Sequence, residues 1–307
     1  MDGGIRMEKA MDNFLKRQGV SGYLVRAVQA FRDRFGISSG IETAPAMLFY
    51  GKETLEAAIA AMLAGANLLL IGEKATGKNV LADTLVALFA RPVVNVSFHI
   101  NMDAAALIGG DTFSGGEVRF RPGPVYKAAK EGGFAVLDEI NMARNEALAV
   151  LHEVLDYRRI LDVPGYGRLA VHEAARFIGT MNYGYAGTRE LNEALASRFV
   201  VLEMPSLERT RIEVILKEQE PELTGEATEL FTGFFLSLAQ KAEAGEISTH
   251  AVDFRGLLDA LVLMKWGIEA RQAAKMGLSN KCFEKDERAI VEDTIALLLP
   301  KGYRAFR

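Results

Sequence analysis

Cysteine is nearly missing: Cys282 is the only one in 307 residues. No disulfide can close within the chain, and a reducing compartment suits it. Cys282 itself reads as a small apolar residue near a helix. Nothing resembles a leader, because the opening stretch MDGGIRMEKAMDNF is charged and has no apolar centre. Nor is there a run long enough to cross a bilayer. The most apolar window, AAIAAMLAGANLLLIG at 57–72, is broken by Gly65 and Asn67 and reads as a buried helix followed by a strand. These features predict a cytoplasmic protein without membrane contact. Long basic runs are lacking too, and the formal net charge is −4, which argues against a protein that coats nucleic acid. Internal repeats and low-complexity tracts are absent.

Half the residues are hydrophobic and a quarter are charged, the balance of a folded chain. The length suits two cores better than one. Residues 1–45 read as a polar helical extension with apolar positions at Phe14, Leu24, Val28 and Phe31, ending in a flexible break at Gly36, Ser38, Ser39 and Gly40. From 46 to 205, short apolar runs recur at 67–71, 93–98, 134–138, 176–181 and 199–203, most of them separated by helical stretches. Runs buried on both faces and spaced by helices predict an α/β fold, a parallel sheet in an αβα sandwich. Two segments break the rhythm and read as β-hairpin insertions: the Gly-rich 109–124, and 158–172, turning at Pro164-Gly165. Residues 206–307 show helical periodicity, as at Leu257, Leu258, Leu261, Val262 and Met264, and predict a smaller all-α domain.

Chemistry concentrates at the ends of three of the apolar runs. The strand Leu68-Leu69-Leu70-Ile71 leads into GEKATGKN at 72–79 and then a helical pattern. This is nearly the phosphate loop G-x-x-x-x-G-K-[ST] in its required strand–loop–helix setting. Gly72 and Gly77 let backbone N–H groups turn inward around phosphates, the helix N-terminus adds its dipole, and Lys78 supplies a point charge. The expected nucleotide contacts are Gly72, Glu73, Lys74, Ala75, Thr76, Gly77, Lys78, Asn79 and Val80. Asp138 follows Lys78 by 60 residues, in FAVLDE. A doubly buried strand tolerates acids at its C-terminal tip, where ligands bind in such sheets. Asp138 is placed to hold magnesium, and Glu139 to polarise an attacking water as general base. The third element, Thr180-Met181-Asn182, ends another strand, and the Asn182 amide can orient that water.

These elements in this order resemble the AAA-plus ATPases. More narrowly, the chain is similar to the MoxR-type branch with the CbbQ and NorQ activators, through DEINMA at 138–143, the two hairpins, FIGTMN, and GTRELNEALASRF at 187–199. The resemblance covers about 46–270. It implies a P-loop ATPase core at 46–205 and a helical lid at 206–307, with ATP and magnesium as cofactors. It also implies an arginine finger at Arg198 reaching a neighbouring subunit, with Arg189 as a second candidate for that contact. A sensor arginine is implied at Arg255, and backbone contact to adenine at Tyr50 and Gly51. Such proteins form rings, typically hexameric, that remodel another protein. In the similar activators the client is a metalloenzyme, often reached through a partner with a von Willebrand A domain.

Asn79 departs from the motif. It offers magnesium a neutral carbonyl oxygen on a longer arm than Ser or Thr, which predicts weakened metal binding and a working but slow ATPase. The four histidines, His99, His152, His172 and His250, have no ligand spacing, so no other metal is expected. A chaperone or activase is therefore the leading expectation, with Phe113, Phe120 and Tyr166 of the hairpins as candidate client contacts. Two alternatives stand beside it. One is a switch that assembles on ATP and hardly hydrolyses it. The other, disfavoured by the acidic balance, is a nucleic-acid motor with Arg119, Arg121, Arg158, Arg159 and Arg168 lining a pore.

Overall fold

All five apolar runs are hydrogen-bonded side by side into one parallel sheet, the helical connections between them letting neighbouring strands run the same way. The computed structural model describes residues 2–36, 45, 47–73, 76–182 and 191–306. By internal contact the chain divides into two units, one of residues 1–73 and 77–204, the other of 74–76 and 205–307.

The first unit opens with helices α1 (Asp2–Arg17) and α2 (Gly22–Phe35). Then come α3 (Lys52–Leu63), β1 (Asn67–Gly72), α4 (Lys78–Phe89) and β2 (Val93–Ser97). A short helix α5 (Ala104–Ile108) precedes the first hairpin, β3 (Gly109–Ser114) and β4 (Glu117–Pro122). Helix α6 (Pro124–Glu131) leads to β5 (Phe134–Asp138), then to the single-turn helices α7 (Asn145–Leu148) and α8 (Leu151–Val154). The second hairpin is β6 (Ile160–Val163) with β7 (Gly167–Ala170), followed by β8 (Arg176–Asn182), α9 (Glu193–Ala196) and β9 (Phe199–Glu203).

The sheet order is β2-β5-β8-β1-β9. Its three central strands are buried along nearly their whole length, and the edge strands β2 and β9 only in part. Burial on both faces is why the centres of β1, β5 and β8 read as apolar runs. One face of the sheet closes over Val125, Leu137, Leu151, Leu161 and Phe177 among others.

The N-terminal helices pack on the sheet's helices through an unusual charged core. Arg32 is buried, pairs with Asp12 at 2.6 Å and donates to the Leu88 carbonyl at the end of α4. Phe31 meets Phe89 edge-on, and Phe14 meets Tyr50. Arg91 donates to the carbonyls of Phe35, Gly36, Glu131 and Gly132, tying the end of α2 to the start of β5. Burying these arginines is tolerable because most of their donors are met by carbonyls and a carboxylate, with Arg32 Nε left over.

The second unit is helical: α10 (Arg209–Gln219), α11 (Gly225–Glu243), α12 (Phe254–Lys265), α13 (Ala270–Gly277) and α14 (Lys285–Leu298). Its core gathers Phe231, Phe234, Leu257, Leu261 and Ile295, with Cys282 buried in it. The apolar stripe 257–264 splits as helical packing requires: Leu257, Leu261 and Met264 point inward, whereas Val262 is exposed. Among the described residues no helix is long and apolar enough to cross a membrane.

Candidate nucleotide site

Register alone gathers the chemistry. In the parallel pairing Gly72 lies opposite Asn182, and Ser97 opposite Asp138. The C-terminal tips of β1, β5 and β8 therefore end together, at the edge where open α/β sheets bind ligands. From β1 the chain turns through Gly72 (φ +154°) and Gly77 (φ +90°), backbone angles that side chains with a Cβ resist. Helix α4 then starts with no side-chain cap. A helix N-terminus gathers N–H groups and a dipole that favour an anion there.

Lys78 is buried at this turn, with Nζ donating to the carbonyls of Gly72 at 2.9 Å and Glu73 at 2.6 Å. Burial pushes its pKa down to about 8, against the opposing pull of Asp138, Glu139 and Glu73. A phosphate would return the lost charge stabilisation, so the loop fits a nucleotide's phosphates.

Asp138 and Glu139 stand at the tip of β5 in different settings. The Thr180 hydroxyl donates to Asp138 Oδ1 at 2.5 Å and accepts the Glu139 N–H at 3.0 Å. Glu139 has φ +55°, a left-handed angle unusual for a residue other than glycine and frequent at functional sites. Asn182 Nδ2 donates to Glu139 Oε1 at 3.2 Å, and Asn141 Nδ2 donates to the Asn182 carbonyl at 2.9 Å. Asn79, on the first turn of α4, donates to the other oxygen of Asp138 at 3.2 Å. Its carboxamide thus reaches the carboxylate despite the longer arm. Turning the amide over would set its oxygen there instead, beside Asp138, an all-oxygen donor pair suited to magnesium. Among the described residues no group of three or more His, Cys, Asp or Glu side chains could hold a metal ion. A magnesium ion here would depend on Asp138, Asn79, water and the nucleotide's own phosphates.

Lys78, Asn79, Asp138, Glu139 and Asn182 are thus brought together. Val80 follows on α4, its carbonyl accepting from Thr84. Tyr50 and Gly51 lie just before α3, and the Phe49 N–H donates to Thr84 Oγ1 at 3.0 Å, holding that segment to α4. Glu73 sits at the end of β1, and Thr76 falls with the second unit. Lys74, Ala75 and Arg189 lie outside the described residues. Arg255 is exposed on the first turn of α12, in the helical unit. Thr180 and Asn141 joined the site from inside Thr180-Met181-Asn182 and DEINMA, where neither had been assigned a role of its own.

Arg198 is not with this group. It immediately precedes β9, whose Phe199 pairs with Asn67 at the start of β1. At about 3.3 Å per residue, five strand residues set it about 16 Å from the tips. Its guanidinium donates to the carbonyls of His152 and Ala194 and lies 3.5 Å from Asp156. Asp156 is held below the usual carboxylate range, chiefly by hydrogen bonds from Arg158, with Arg198 adding its charge. Asn67 donates to the Leu155 and Arg198 carbonyls, fixing the backbone around the arginine. A cavity of about 550 Å³ opens there, lined by Asn67, Asp156, Tyr157, Arg198 and Val200 among others.

The hairpins pack on each other: Tyr166 donates to Asp111 at 2.6 Å, and Phe120 stacks between Tyr126 and Tyr166. Phe120 is therefore a packing residue, while Phe113 is 75% exposed and Tyr166 50%. Of the arginines considered for a basic pore, Arg121 and Arg168 are exposed. Arg119 pairs with Glu117, Arg158 with Asp156, and Arg159 donates to the His172 and Ala175 carbonyls.

Residues 67–199 match the AAA domain of the dynein-related subfamily, a span running from the first residue of β1 to the first of β9. YojN of Bacillus subtilis is 35% identical over 241 residues, covering 77% of this chain and 79% of its own. SH1500 of Staphylococcus haemolyticus is 34% identical over 238 residues, covering 75% and 90%, and SAB1265c of Staphylococcus aureus is 33% identical over 237, with the same coverage. None of these relatives brings an assigned activity with it. With the phosphate loop, the acidic strand tip and this match in one unit, the chain belongs to the AAA-plus ATPases, in one family with YojN.

Proposed function

We propose that this protein hydrolyses ATP in a hexameric ring of identical subunits and uses the energy to remodel another protein. The carrying observation is the split between the site at the strand tips and Arg198 at the far end of the same sheet. Lys78 and the N-terminus of α4 bind the phosphates, and Asp138 with Asn79 would hold a magnesium ion, whose chemistry there would be to neutralise charge on the phosphates. Glu139 takes a proton from the attacking water, and Asn182 holds Glu139 in place. Arg198 stabilises the transition-state charge in a neighbour's site. Arg255 serves as a second cation from the helical lid, and Tyr50 and Gly51 receive the adenine.

The MoxR-type affiliation is part of this proposal. It is supported by DEINMA, by the two hairpins and by the stretch at 187–199. On that reading the client is a protein, a metalloenzyme in the similar activators, delivered with a von Willebrand A-domain partner. The exposed Phe113 marks the hairpin surface that would meet it. Phosphate release from ATP with magnesium tests the reading, for the wild type and Glu139→Gln over a protein concentration series. Turnover per subunit should rise with concentration and vanish in Glu139→Gln.

A second reading has one specific observation behind it: Asn79 faces Asp138 with its amide nitrogen, which repels a cation. On that reading the chain is a switch that assembles on ATP and hardly turns it over. No turnover in the wild type, restored by Asn79→Thr, would select the switch.

A further inference from the structure

Backbone pairing between β5 and β8 stops at Leu137 and Gly179, just before Glu139 turns left-handed. Two side chains take over where the ladder ends. From β8, the Thr180 hydroxyl receives the Glu139 N–H that a strand carbonyl would otherwise accept. From beyond β5, Asn141 Nδ2 donates to the Asn182 carbonyl that a strand N–H would otherwise serve. Both residues are buried, Thr180 at 1% exposure and Asn141 at 2%.

The Thr180 hydroxyl is committed in both directions. It donates to Asp138 Oδ1 at 2.5 Å while accepting from Glu139 at 3.0 Å. That fixes one carboxylate oxygen and leaves the other toward Asn79. A carboxylate otherwise turns freely about its last torsion and offers its oxygens in many directions. Valine has the shape of threonine but can neither donate nor accept.

We propose that Thr180 is a positioning residue for the ATPase site: its hydroxyl aims Asp138 at the magnesium position and sets the backbone from which Glu139 reaches water. The inference rests on the metal-dependent nucleotide site proposed above. Hydrogen-bond partners of a metal-binding carboxylate are worth about ten- to a hundredfold in metal affinity.

The test uses the full chain and binding of a fluorescent ADP, titrated with magnesium and repeated in EDTA, for the wild type, Thr180→Val and Thr180→Ser. The magnesium concentration for half effect should rise about tenfold or more in Thr180→Val. Thr180→Ser, which keeps the hydroxyl, should stay close to wild type, and all three should bind equally in EDTA. A wild-type magnesium profile in Thr180→Val overturns the inference. So does a Thr180→Ser as weak as Thr180→Val, or an equal loss in EDTA, since either makes the residue a packing element. A wild type indifferent to magnesium is a separate result, which defeats the metal reading and this inference with it.

Discussion

The two ends of the central sheet differ in what they leave open. At the C-terminal tips, Lys78, Asp138, Glu139 and Asn182 converge around a helix N-terminus without a side-chain cap. At the N-terminal ends, Arg198 sits among carbonyls and beside Asp156, with its own cavity and the exposed Tyr157. One end has the groups proposed to bind phosphate and activate water. The other has a cation with no phosphate of its own within reach. A strand is rigid, so about 16 Å of sheet separates them in every conformation that keeps the sheet. On the proposed reading a single subunit carries two half-sites, which a neighbour would bring together.

The largest effect should come from the end without phosphate ligands. Arg198→Ala should lower turnover about a thousandfold or more, as loss of an arginine finger does, with nucleotide affinity of the dilute subunit unchanged. Steady-state kinetics beside equilibrium binding would show it, and a thermal unfolding curve would separate lost packing from lost chemistry. A comparable loss of affinity in the dilute subunit would break the comparison, placing Arg198 in its own site.

Next comes the water-activating end. Glu139→Gln should cost about a hundred- to ten-thousandfold in turnover, the usual weight of a general base, and leave nucleotide bound. The affinity itself should depend on pH through Lys78, whose pKa is lowered to about 8 by burial. Phosphates favour the charged amine, so binding takes up a proton wherever the free protein has lost it. Affinity should be level below pH 8 and fall above it, approaching about tenfold per pH unit. Calorimetry in buffers of different ionisation enthalpy would register the proton uptake, and Arg198→Ala should share the same profile. The smallest change belongs to Asn79→Thr, which should strengthen magnesium dependence severalfold and raise turnover modestly.

Much of this was legible in the sequence, for reasons that lie in burial. β1, β5 and β8 are covered on both faces, so their centres had to be apolar runs, and the acids at 138 and 139 could only stand at a tip. The phosphate loop was legible because Gly72 and Gly77 adopt angles that few other residues accept. Both hairpins showed through their turn residues. What stayed hidden depends on register rather than composition. The tie from Thr180 to Asp138 exists only because β5 and β8 pair as they do. Nothing in the polar pattern of residues 1–45 marks Arg32, which is buried against Asp12 and the Leu88 carbonyl. Phe120 and Phe113 look alike in the chain. The register sets both on one face of the hairpin, and they part by their place along it: Phe120 lies toward the base against Tyr126, and Phe113 lies exposed beside the turn.

The most direct test of the two-half-site account mixes two inactive variants. Glu139→Gln keeps a sound Arg198, and Arg198→Ala keeps a sound Glu139, so a mixed assembly contains interfaces with both groups intact. The account predicts that each variant alone is silent and that the mixture regains phosphate release as protein concentration rises. A mixture as silent as its parts, under conditions where the wild type turns over, would contradict it.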